Sequence, residues 1–188
     1  MNVLTLLGSA RKKGNTETVL TLVEKELQAL EHTVERVTLH DKTIKGCLGC
    51  LKCLAHPDEI ACVQHDDADE IMKKMIVADV VLFTSPIYFW GFSAQIKALI
   101  DRNNAFVTQC FKPGHTSLLK DKRIGLLATG ADSFENNAEG LFTAFDRFAT
   151  FLLAQITGTL YVGNCLIPSD LPEKTSERAR ILAHSLVR

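Results

Sequence analysis

The sequence predicts a doubly wound α/β domain: a five-stranded parallel sheet in the order 2-1-3-4-5 with helices on both faces. Three observations carry this expectation. Short apolar runs of strand length recur along the chain, segments of helical period lie between them, and the two kinds alternate without an internal repeat, low-complexity tract or linker. At 188 residues, 46% hydrophobic and 23% charged, the chain is expected to form a single domain over residues 1–188.

The first strand is expected at Val3 to Leu7 and the first helix at Thr18 to Leu30, where Val19, Leu22, Val23, Leu27 and Leu30 share a side with Glu26 as the one polar member. Thr33 to Leu39 gives the second strand. Asp67 to Ala78 aligns Ile71, Met75 and Ala78, with Asp66 and Asp67 placed to cap that helix against the positive end of its dipole. Asp79 to Thr84 is the third strand. Ser93 to Arg102 aligns Ile96, Leu99 and Ile100, and its Lys97 and Asp101, four apart, read as a surface ion pair. Arg123 to Thr129 supplies the fourth strand, Glu139 to Ile156 the next helix, Leu160 to Leu166 the fifth strand and Glu173 to Val187 the last helix. Such alternation needs a crossover at every step, which makes the sheet parallel.

A net charge of -1 gives no sequence-independent attraction to nucleic acid or to an anionic membrane. No apolar run reaches the roughly 18 residues of a membrane span, and "MNVLTLLGSARKK" lacks a basic leader and cleavage pattern. The expectation is therefore a cytoplasmic protein without nucleic-acid or membrane partners. Six cysteines, three of them within seven residues, suit reduced thiols or a cluster site better than a secreted disulfide framework.

In a sheet of this order, ligands bind outside the carboxyl ends of the strands, where the order reverses between strands one and three. The loops beginning at Gly8 and Ser85 sit there, with a third from Thr129 on the same rim. The first, "GSARKKGNT", is no triphosphate loop: one residue too many separates Gly8 from Gly14, and Asn15 stands where the lysine belongs. Phe83, Thr84 and Ser85 also leave no acidic anchor for magnesium at the end of the third strand. The dinucleotide fingerprint G-x-G-x-x-G is absent too. What remains is a turn rich in hydroxyl, amide and cationic groups ahead of a helix N-terminus, a cradle for one phosphate group. Ser9, Asn15 and Thr16 offer hydrogen bonds, and Arg11 or Lys13 offers charge. The bland alternative is a capped turn with Asn15 or Thr16 as N-cap. The second loop places Pro86, Ile87, Tyr88, Phe89, Trp90, Gly91 and Phe92 in succession on a rim, an apolar run that marks a binding surface. Subunit or core contact is the competing use of Tyr88 and Trp90.

On "GSARKKGNT", on "GCLGCLKC" leading to "CVQHDD", and on "SPIYFWGFSAQIKALIDR", the chain resembles the NAD(P)H-dependent FMN reductase and iron-sulfur flavoprotein group, which has the flavodoxin-like fold. The resemblance implies that Ser9, Arg11, Asn15 and Thr16, with Lys13 and Gly14 nearby, hold the FMN phosphate. It implies further that Pro86, Ile87, Tyr88, Phe89, Trp90 and Gly91 wrap the isoalloxazine, and that Thr129, Gly130 and Ala131 lie near its far edge. NAD(P)H as co-substrate and a homodimer or homotetramer whose neighbours complete the flavin site are implied with them. A flat amphipathic ring suits an aromatic slot, and its single phosphate suits a helix N-terminus.

Cys47, Cys50 and Cys53 form CxxCxxC, and Cys62 follows after eight residues. Thiols so spaced can converge on a [4Fe-4S] cluster or a tetrahedral zinc ion, or remain free. Cluster-bearing relatives carry a compact cysteine run at this place. The gap before Cys62 is longer than that pattern, so free thiols are the preferred reading and the cluster comes second. His56 and His65 read as solvated, and Cys110 and Cys165 as core or surface thiols.

No serine elbow or nucleophile triad is present, so no catalytic side chain is assigned and the chemistry is left to the flavin. The expected activity is FMN-dependent NAD(P)H:acceptor oxidoreduction, with a quinone, free flavin or other small molecule as acceptor. The alternative is an electron-transfer flavoprotein, with or without a cluster, serving a protein partner; the near-neutral charge speaks against strong steering of that kind. A regulatory protein on the same scaffold is a third reading.

Overall fold

The computed structural model describes residues 1–55 and 59–188, so His56 lies outside the described residues. Five parallel strands form the sheet: β1 (Asn2–Leu7), β2 (Thr33–Thr38), β3 (Val80–Tyr88), β7 (Arg123–Thr129) and β8 (Gln155–Val162). Their spatial order is β2-β1-β3-β7-β8, which in chain order is the expected 2-1-3-4-5. A two-residue strand, β4 (Gly91–Phe92), folds back antiparallel on the end of β3, and β5 (Val107–Thr108) pairs with β6 (Thr116–Ser117) as a separate ribbon. The helices are α1 (Asn15–Ala29), α2 (Asp67–Val77), α3 (Ala94–Arg102), α4 (Glu139–Phe151) and α5 (Thr175–Val187).

Alternation within each central strand divides the core. Leu4, Leu6, Val81, Phe83, Ile124 and Leu126 pack beneath α2, α3 and α4, while Val3, Leu7, Val80, Leu82 and Leu127 pack beneath α1 and α5. Gly125 and Gly158 face one another in the β7–β8 register, and a Cβ on either would strike Leu186 or Leu182. The glycine pair lets α5 lie directly on the sheet.

Three expectations are corrected. Glu26 is not the one polar residue on the packed side of α1: it pairs with His184 of α5 at 2.8 Å, and the Glu24 carboxylate is buried as well. Glu24 is kept in the interior by the Thr5 hydroxyl at 2.6 Å and by the Arg36 guanidinium from edge strand β2. The fourth helix stops at Phe151, five residues early, because Leu153 turns left-handed (φ 55°) and the N–H groups of Leu152 and Leu153 fold back on the last-turn carbonyls. The chain then enters β8 at Gln155, so the fifth strand spans residues 155–162 instead of 160–166. Among the described residues, no helix is long and apolar enough to cross a membrane.

Candidate functional site

Strand β1 ends against a close approach. The Gly8 N–H donates to the Thr84 carbonyl at 2.7 Å, and a Cβ at Gly8 would lie 2.9 Å from Ser93 Oγ and 3.0 Å from the Thr84 oxygen. Ser93 Oγ donates to the Gly8 carbonyl at 2.6 Å, and its backbone N–H reaches Ser85 Oγ at 3.0 Å, so the first and second loops are locked together at their roots. Helix α1 then starts with Gly14 as N-cap, not with Asn15 or Thr16, and no side chain caps it. The unpaired N–H groups and positive dipole end of its first turn are thereby left for something else.

Asn15 and Thr16, both buried, face inward along the first turn. Thr16 Oγ1 lies 2.7 Å from Thr129 Oγ1 at the end of β7, and Asn15 Nδ2 donates to the Cys165 carbonyl at 2.9 Å. The second bond fixes the amide: Oδ1, buried and without a partner among the described residues, is the atom left over. A lone carbonyl-type oxygen wants a donor, which a phosphate dianion does not supply but a sugar-alcohol hydroxyl does.

Around these groups lies a cavity of about 120 Å³ lined by Ser9, Arg11, Gly14, Asn15, Thr16, Pro86, Ile87, Tyr88, Thr129, Gly130 and Ala131, together with Cys165 and Leu166. Four residues anticipated with them, Lys13, Phe89, Trp90 and Gly91, do not line it. The Lys13 backbone N–H instead turns to the Glu17 carboxylate. Cys165 and Leu166 were not anticipated as site residues. They belong to the loop after β8, which the apolar run 160–166 disguises as strand; topology was the available signal, since that loop leaves the same rim. Arg11 Nη1 donates to the Leu166 carbonyl at 2.7 Å, closing the two loops over the cavity. Burial pushes the Cys165 thiol up, against a hydrogen bond from Asn15.

The second loop is a hairpin. Ile87 pairs with Phe92 and Tyr88 with Gly91, leaving Phe89 and Trp90 as a two-residue tip at φ 46° and 62°. Tips of this form favour Asn or Gly, and bulky side chains there are strained. Phe89 is 93% exposed and Trp90 61% exposed, and the Trp90 indole N–H reaches across to the Asn136 carbonyl at 3.1 Å. The third loop is anchored from below, with the Tyr161 hydroxyl donating to the Asp132 carbonyl at 2.6 Å and accepting from Asn137 Nδ2 at 2.7 Å.

These residues fit FMN by three features: an uncapped helix N-terminus with Ser9 and Arg11 beside it for a phosphate, a buried acceptor at Asn15 Oδ1 for a ribityl hydroxyl, and an aromatic rim beyond. Of that rim, Tyr88 lines the cavity and Trp90 stands beyond its lining.

A second cavity, about 370 Å³ and largely apolar, lies in the segment between β2 and α2. Cys47, Cys50, Cys53 and Cys62 line it, and so does Cys110, which the β5–β6 turn brings in from far along the chain. All six cysteines are free thiols. Arg102, whose side chain is fully buried, donates from Nε to Cys62 Sγ at 3.1 Å, from Nη1 to the Lys45 carbonyl and Asp66, and from Nη2 to the Gln64 carbonyl. Asn104 Nδ2 faces Cys53 Sγ at 3.6 Å. Burial raises the Asp66 carboxyl, but the Lys45 N–H, the Arg102 guanidinium and the Ala68 N–H outweigh it and hold the group below the usual range. Among the described residues, no three Cys, His, Asp or Glu side chains gather closely enough to hold one metal ion. Thiolates are the donor type that a [4Fe-4S] cluster takes, and this cavity collects five of them from two parts of the chain. His65 is exposed beside Asp69.

Over 131 residues the chain is 37% identical to an iron-sulfur flavoprotein of Archaeoglobus fulgidus, a match that covers 70% of this chain and 55% of that protein. The chain thus spans about half the length of the first curated relatives it matches. A putative NAD(P)H-dependent FMN-containing oxidoreductase of Bacillus subtilis, YwqN, is 24% identical over 188 residues, 98% of each chain. Among solved structures, an FMN-dependent NADH-azoreductase from Bacillus anthracis in complex with FMN superposes with a TM-score of 0.72 over the whole of both chains at 11% identity. An NAD(P)H:quinone oxidoreductase from Methanothermobacter marburgensis gives 0.71 at 16% identity, over 100% of this chain and 98% of its own. At such identities the two structures speak for the flavodoxin-like fold alone. The model of the NADPH-dependent FMN reductase family matches residues 1–157, a span that holds the first three loops and four of the five parallel strands entire, and the chain belongs to that family.

Proposed function

We propose that this chain is an FMN-dependent NAD(P)H:acceptor oxidoreductase whose acceptor is a small molecule such as a quinone or a free flavin. The observation that carries the reading is Asn15: its amide nitrogen is fixed on the Cys165 carbonyl, and its buried oxygen is left without a donor beside an uncapped helix N-terminus. That pairing suits a phosphate followed by a polyol, which FMN presents.

When bound, FMN supplies the redox chemistry, taking hydride from NAD(P)H and handing electrons to the acceptor. The chain's own part is to hold and orient. The α1 N-terminus, Ser9 and Arg11 meet the phosphate, with Thr16 braced on Thr129 behind them. Tyr88 and Trp90 form an aromatic wall, and the backbone of Thr129, Gly130 and Ala131 closes the opposite side. No proton transfer is assigned to a side chain. The exposed tip at Phe89 suits a neighbouring subunit, in keeping with a homodimer or homotetramer.

The purified protein should be yellow or turn yellow with added FMN, and should oxidise NAD(P)H when a quinone is supplied. A colourless protein that takes up no FMN contradicts the reading.

A second reading is an electron-transfer flavoprotein carrying a [4Fe-4S] cluster. It is supported by the cavity that collects the four thiols of the cysteine run, with N–H donors aimed at two of the sulfurs. Anaerobic isolation followed by iron and sulfide analysis separates the two: about four of each per chain supports the cluster, and none leaves the thiols free.

A further inference from the structure

We propose that Trp90 is a positioning residue for the flavin ring, acting as a latch: its indole N–H, fastened to the Asn136 carbonyl, ties the second loop to the third and fixes the slot in which the ring sits. The inference rests on the FMN reading above.

Strands β3 and β7 stay paired as far as Pro86 and Thr129 and then part. The hairpin rises from one and the 130–138 loop from the other. Among the described residues, the 3.1 Å bond from Trp90 Nε1 to Asn136 is the one hydrogen bond that rejoins these loops beyond the sheet. Both ends are shaped for it. Trp90 is held at φ 62° at the hairpin tip, and Asn136 at φ 57°, a left-handed turn that asparagine tolerates and that sets where its carbonyl points. The loop that receives the bond is not slack, since the Tyr161 hydroxyl holds it through Asp132 and Asn137. Trp90 is therefore tied to a fixed post. It also stands beyond the residues that line the phosphate cavity, among them Tyr88 and Ala131 of the same two loops.

The latch is exposed and single, so it can open without unfolding anything. Its effect should fall on the rate at which flavin leaves rather than on recognition of the phosphate. Trp90→Phe keeps an aromatic ring and removes only the donor; at 61% exposure it leaves the core untouched.

Two measurements on the full chain test the proposal. Hydrogen exchange on FMN-free protein should show amides of residues 131–138 exchanging at least fivefold faster in Trp90→Phe than in wild type. FMN release, followed by recovery of flavin fluorescence, should be at least fivefold faster, with the ratio of FMN to riboflavin affinity unchanged. Asn136→Ala, which disturbs the acceptor, should move both readings the same way. Exchange or release less than fivefold faster than wild type overturns the latch. If wild type takes up no FMN, the flavin reading fails and the exchange measurement alone decides whether the two loops are tied.

Discussion

Asn15 shows how much chemistry one residue's surroundings can specify. Its amide nitrogen is occupied and its oxygen is buried and idle, so replacing it should cost flavin twice, in the bond to the 165 loop and in the acceptor. Asn15→Leu should weaken FMN binding at least tenfold, about 1.4 kcal/mol, in a fluorescence titration. Asp66 belongs to the same scale. With its side chain 4% exposed against a fully buried guanidinium, Asp66→Asn should destabilise the fold by about 3–5 kcal/mol in urea unfolding. Because the folded state holds this carboxyl below its unfolded value, the stability it contributes is present above the ordinary aspartate range and is lost as pH falls through the lowered folded value. Wild type should therefore lose stability on acidification at a point where Asp66→Asn shows a smaller slope. Neither role was legible beforehand in full. The sequence put Asn15 at the helix start and Asp66 at a cap, and Asp66 does accept from the Ala68 N–H at 3.1 Å; the contacts to Cys165 and Arg102 lie 150 and 36 residues away and come from the fold.

At the scale of elements, the β3 hairpin carries the least expected geometry. The sequence predicts a strand ending at Thr84, yet β3 runs on to Tyr88 because Ser85 and Pro86 stay paired with β7 and Ile87 and Tyr88 then pair with Phe92 and Gly91 of the returning chain. Nothing local in "YFWG" announces the turn, since Asn or Gly at the two tip positions is the usual signal. The left-handed backbone at Phe89 is strained, and its side chain is exposed and packs little. Phe89→Gly should accordingly stabilise the FMN-free protein by about 1 kcal/mol in urea unfolding. A loss of stability would mean that the tip is better supported than its exposure implies. The β8 strand was misplaced for a different reason: "QITGT" is polar and partly exposed at the sheet edge, while the apolar residues 160–166 run past the strand into the loop that lines the cavity. The cysteine run, in contrast, was visible in full, and only the arrival of Cys110 depended on tertiary structure.

For the whole molecule, alternation of strand and helix was enough to give sheet order and the binding rim, because parallel crossovers leave few arrangements. What alternation does not give is how closely the layers approach. Gly125 and Gly158 set that distance under α5, and Gly125→Ala should destabilise the protein by about 1–3 kcal/mol as α5 is pushed off the sheet. The rim itself should survive such a change, with FMN affinity falling less than for Asn15→Leu. The account stands on a flavin held by its phosphate end between the first and third strands, and comparison of FMN with riboflavin by isothermal titration tests that directly. FMN should bind at least a hundredfold more tightly; equal affinity for the two, or no binding of either, would contradict it.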